Sequence, residues 1–81
     1  MSNTDTDVID RISGNWRDRL KNEYLQLSVR LSRLNSVIES ADENGDESVR
    51  KQIGLLRAQA GAMSAYLHIL VERAKLAGIQ L

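Results

Sequence analysis

From Val49 to Ala77 the apolar residues Val49, Ile53, Leu56, Ala60, Met63, Leu67, Leu70, Ala74 and Ala77 recur at alternating spacings of four and three. This is the heptad repeat of a helix packed along one stripe. The earlier run Leu20, Tyr24, Leu27, Leu31, Leu34 and Ile38 alternates in the same way, so the partner for the second stripe is expected within the same polypeptide. The pattern predicts an all-α fold, an antiparallel two-helix hairpin in a single domain.

Local signals place the ends of these helices. Val8, Ile9 and Ile12 form an i, i+1, i+4 apolar patch, which predicts a short N-terminal helical segment within residues 1–14. Gly14 and Asn15 then either break the chain, with Asn15 capping a new helix, or are carried within a continuous helix at a cost of about 1 kcal/mol for the glycine. The first long helix is expected over about residues 16–39 and the second over about 49–77. Between them, residues 40–48 read as an acidic turn in which Asn44-Gly45 suits a positive φ. Asp46 or Ser48 can cap the second helix, and Gly78 offers its stop. The acidic turn is not an EF-hand, because Gly45 follows Asp42 by three residues whereas the calcium loop needs its glycine at the sixth position.

The second helix is more apolar than a hairpin requires. Leu55, Ala62, Ile69 and Leu76 recur every seven residues on a second face, joined by Tyr66. A helix that is apolar on more than one side is covered by more than one neighbour. Between the two faces, Gly54, Ala58, Gly61 and Ala65 form a small-residue stripe. It suits a close helix crossing, or a shallow wall against which a flat ligand or partner helix lies. With 81 residues, no cysteine and one histidine, neither disulfides nor a multi-ligand zinc site can supplement a small core. Assembly into an oligomeric helical bundle is therefore expected, with Leu55, Gly61, Ala62, Ala65, Leu67, Ile69 and Leu76 at the interface.

Charge narrows the choice of partners. The formal net charge is zero, which argues against duplex nucleic acid. Residues 41–47 carry Asp42, Glu43, Asp46 and Glu47, whereas residues 48–81 set five basic groups against Glu72 alone, so the helices are basic and their connection acidic. The polar, acidic N-terminus does not resemble a secretory or transit signal. The longest uncharged run, Ala58 to Val71, is 14 residues, short of the roughly 20 that a membrane span needs. A protein without membrane contact is expected.

No catalytic set can be assembled from these residues. His68 with Glu72 four positions on is too small a set for a metal, and a phosphate-binding glycine loop is absent. Neither enzymatic activity nor a cofactor is expected. Arginine supplies the remaining chemistry: Arg19, Glu23, Gln26, Arg30 and Arg33 border the first seam, and Arg50 and Arg57 the second. Guanidinium groups hold phosphates through paired hydrogen bonds, and Tyr24 or Tyr66, with Trp16 or His68 as further candidates, can stack on a base. Beside a heptad seam, such arginines also serve interhelical pairing and cover apolar surface with their stems. The candidate ligand site is Arg30, Arg33 and Arg57 with Tyr24 and Tyr66, converging between helices of an oligomer around a small nucleotide.

The second helix reads Leu55-Leu56-x-x-Gln59-x-x-Ala62-Met63-x-x-Tyr66-x-x-Ile69-Leu70-x-x-Arg73, preceded by an arginine-rich leucine helix and an acidic gap. Over about residues 19–76 this resembles a family of small phage-encoded helical hairpins named from a crAss-like phage protein. The resemblance implies a phage or prophage accessory protein acting in the bacterial host cytoplasm, and carries no catalytic residues across. By analogy with small helical phage proteins that counter host immunity, the expected function is an oligomeric counter-defence sponge that sequesters a nucleotide immune signal. The alternative is an inhibitor or adaptor that binds a host protein through a helical face.

Overall fold

A computed structural model describes residues 15–44 and 46–81, and all of its regular structure there is helical. Helix α1 runs Trp16–Asn44, a five-residue α2 runs Glu47–Lys51, and α3 runs Ile53–Ala77. α1 and α3 pack against each other as an antiparallel hairpin. The expected N-terminal helical segment and the Gly14 break lie outside the described residues, as does Gly45 of the expected turn.

The hairpin closes most tightly at one end. Leu20, Leu27, Leu70 and Ala74 are buried together, with Trp16, Tyr24, Met63, Leu67 and Ile79 packed around them. The start of α1 therefore meets the end of α3, as short antiparallel connections require. Farther along, Leu31, Leu34 and Ile38 on α1 and Ile53, Leu56 and Ala60 on α3 are half-buried. Both heptad stripes thus face inward along their length, and the largest enclosed cluster lies where Trp16 and Ile79 add cover.

The expected helix limits need two corrections. α1 continues to Asn44, five residues beyond the expected end at 39. Ala41 explains this: it extends the seam by three positions from Ile38 and is buried, so core contact holds the acidic stretch in helix. The second helix is divided at Gln52, whose N–H bonds to the Val49 carbonyl (3.0 Å) while its own carbonyl accepts from Leu56 (2.8 Å). The first of these spans three residues instead of four, and this tightening separates α2 from α3.

The end signals act as the sequence implies. Asp46 caps α2, its carboxylate accepting from the Ser48 N–H at 2.9 Å and the Ser48 hydroxyl at 3.1 Å. Gly78 ends α3 in the left-handed region at φ 68°. There the Ile79 N–H reaches the Ala74 carbonyl (2.8 Å) and the Gly78 N–H the Lys75 carbonyl (3.2 Å). This paired closure needs a residue that tolerates positive φ, and it turns Ile79 back onto the core.

Candidate functional site

Position relative to the seam decides which side chains can act together. On α1, Arg30 and Arg33 immediately precede the seam residues Leu31 and Leu34; on α3, Leu55, Ala62, Tyr66, Ile69 and Leu76 immediately precede Leu56, Met63, Leu67, Leu70 and Ala77. Two facing antiparallel helices are related by a two-fold axis, which carries the preceding flank of each onto the same side of the pair. Arg30, Arg33 and Tyr66 therefore share one side of the hairpin. The level is set by Arg17, whose Nη1 donates to the Ala77 carbonyl at 3.1 Å. Counting inward from that contact places Arg30 near Ser64 and Arg33 near Gly61, about a turn from Tyr66 and Ala62.

The side so formed is exposed. Arg30 and Arg33 face solvent, and on α3 Leu55, Tyr66, Ile69 and Leu76 are 75, 42, 54 and 91% exposed. A row of guanidinium groups thus lies next to an uncovered apolar row that includes a phenol ring. Arginine beside apolar surface can grip an anion through paired N–H groups while the adjoining surface takes an aromatic or aliphatic body.

The other candidate ligand residues lie elsewhere. Tyr24 is part of the seam and packs against the core. Arg57 is exposed, but it follows its seam residue Leu56 and lies nine residues from Tyr66, about half a turn round α3. One chain therefore does not present Arg57 and Tyr66 together; a site using both takes them from different copies. Of the expected interface residues, Leu67 packs within the chain against the core, while Ala62 and Ala65 are exposed. At Gly54 and Gly61 an added Cβ meets nothing within 4 Å. The small-residue stripe is therefore not the crossing point of α1 and α3, which instead meet through their leucine seams.

A second feature lies at the closed end of the hairpin. Trp16, Arg17, Arg73, Leu76 and Ala77 line a shallow, open depression of roughly 530 Å³. The Arg17 guanidinium stands 4.9 Å from the Trp16 ring centroid, a cation–π distance. Its bond to the Ala77 carbonyl also satisfies one of the acceptors left open at the end of α3. Sequence periodicity does not disclose this contact, which joins residues 60 positions apart; the adjacent Trp-Arg pair at a helix start was its only signal.

His68 is exposed, and Glu72 pairs with Lys75 at 3.1 Å instead of with the imidazole. Among the described residues no group of three His, Cys, Asp or Glu side chains is arranged to hold a metal ion. No described helix is long and apolar enough to cross a membrane.

No curated protein and no solved structure matches this chain. The model of one family, described as Sequestin, matches residues 14–76. This span contains the seam of α1, the seam of α3 up to Ala74, the arginine row of α1 and the apolar row of α3, and it reaches five residues farther toward the N-terminus than the hairpin resemblance read from the sequence. With most of its length matched, the chain belongs to the Sequestin family.

Proposed function

We propose that this protein is a non-catalytic binding protein that assembles through its helices and sequesters a small phosphorylated ligand, a nucleotide signal in a phage counter-defence setting. The observation that carries the reading is the shared side of the hairpin, where Arg30 and Arg33 stand beside Tyr66 and an uncovered apolar row. The family name, Sequestin, points to sequestration. In this reading Arg30 and Arg33 hold phosphate oxygens, Tyr66 stacks on the base, and Arg57 enters from a neighbouring copy. Tyr24 acts from within the seam by fixing the wall behind the arginines.

Calorimetry across a panel of linear and cyclic nucleotides tests this directly. Binding should be stoichiometric and reversible, with the released ligand chemically unchanged. Arg33→Ala removes charge-assisted hydrogen bonds of about 1.5 to 3 kcal/mol each, so affinity should fall at least about tenfold while assembly persists. Absence of heat with every nucleotide, together with a host protein held through the apolar row, would replace this reading with that of an inhibitor or adaptor.

A further inference from the structure

We infer that Glu23 selects the base of the ligand, favouring a nucleotide whose base carries an exocyclic amino group. The inference rests on the reading of Arg30, Arg33 and Tyr66 as the ligand site and specifies what that site prefers. Residues that immediately precede a seam position, on either long helix, lie on the same side of the hairpin as those three. Glu23, just before Tyr24, is the one acid among them. It belongs to the arginine row of α1, yet phosphate contacts alone give it no role.

Level places Glu23 at the far end of the site from the phosphates. It stands seven residues from Arg30 on α1, two turns or about 10 Å along the helix, the order of a mononucleotide's length. The register that sets Arg17 beside Ala77 brings Glu23 level with Val71, five residues beyond Tyr66 and two beyond Ile69. Along this side the order is therefore Arg33, Arg30, Tyr66, Ile69, Glu23. A nucleotide whose phosphate is held by the arginines, and whose base lies on Tyr66 and the exposed Ile69, turns the far edge of that base toward the carboxylate.

The carboxylate is open to such a contact. Glu23 is half-buried, and among the described residues it has no hydrogen bond or ion pair. Neither neighbouring arginine claims it. Arg19 lies four positions before it, the weaker order for a helical ion pair, and Arg73, across the seam, lines the closed-end depression with Trp16 and Arg17. An ionised carboxylate accepts hydrogen bonds and donates none, so it favours an amino group over a carbonyl or a ring lone pair at the same place. Partly withdrawn from water and unpaired, it gains more from that donor than a fully solvated carboxylate would.

Matched nucleotides that differ in the amino group test this by calorimetry on the full chain: adenosine against purine riboside, and guanosine against inosine, each as the 5′-monophosphate and the 3′,5′-cyclic monophosphate. Within at least one pair the amino-bearing member should bind at least about tenfold tighter, the effect of one hydrogen bond to a charged group. Glu23→Ala should bring the two members of that pair to equal affinity while the chain stays helical by circular dichroism, since alanine is the better helix former. Glu23→Gln keeps an acceptor without the charge and should keep part of the preference. Equal binding of both members to the unaltered chain, lost in Arg33→Ala, would remove Glu23 from the site and leave sequestration standing. A preference that survives Glu23→Ala, with affinity for both members lowered alike, would make Glu23 a structural residue and overturn its role in selection. No binding of any member would overturn nucleotide sequestration and this assignment with it.

Discussion

Replacing Leu70 with alanine separates what two helices do for each other from what a second copy adds. Leu70 is fully enclosed, at 0% exposure, between Leu20, Leu27 and Ala74. The substitution deletes three carbons, a transfer loss of about 2.4 kcal/mol at about 0.8 kcal/mol per buried group. A void that closes only in part adds about 1 kcal/mol or more, for a total of roughly 3 to 4 kcal/mol. A domain of this length has about 4 to 12 kcal/mol in all, so about a quarter or more of its stability should go. Leu76, at 91% exposure, is the comparison: within one chain Leu76→Ala should change stability by less than about 0.5 kcal/mol. Urea unfolding followed by far-ultraviolet circular dichroism, at low and high protein concentration, reads both. The Leu70→Ala loss should be the same at each concentration, whereas a Leu76→Ala loss should appear only where copies associate. A Leu70→Ala loss below about 1 kcal/mol, or an equal loss for Leu76→Ala in dilute protein, would refute the placement of the core.

Three further outcomes follow from the backbone. Gly61→Ala should stabilise the isolated hairpin by up to about 1 kcal/mol in a thermal melt, because its added Cβ meets open space and glycine is a poor helix former. Gly78→Ala should destabilise by about 1 kcal/mol in the same assay: the space is open there too, but φ is 68° and the cost is the left-handed conformation itself. Asp46→Ala removes the cap on α2 and should cost about 1 kcal/mol, read as earlier exchange of the Ser48 amide in hydrogen-exchange measurements.

The hairpin was legible because apolar period and helix propensity agree over both seams, because Gly78 meets a positive-φ demand that few residues tolerate, and because Asp46 supplies a side-chain acceptor where a helix starts. The extension of α1 was not, since Asp42, Glu43 and Asn44 resemble turn residues and only the burial of Ala41 outweighs them. The division at Gln52 is also silent in the sequence: Val49 and Ile53 keep the seam spacing through it, so the hydrophobic pattern is unchanged while one hydrogen bond shortens. For the candidate site, residue types were readable but sides were not. Arg30, Arg33 and Tyr66 fall together only once the antiparallel register is known, and the same register sends Arg57 to the opposite side. Leu67 looks like any other leucine of an oligomer interface until its contacts place it against the core.

Native mass spectrometry of the assembled protein, after incubation with phosphorylated nucleotides and removal of the excess, tests sequestration most directly. Sequestration predicts an oligomer carrying a whole number of ligands, each recovered on denaturation at its original mass, with retention lost in Arg33→Ala. An oligomer that retains no nucleotide, or one that releases a chemically altered product, would contradict it.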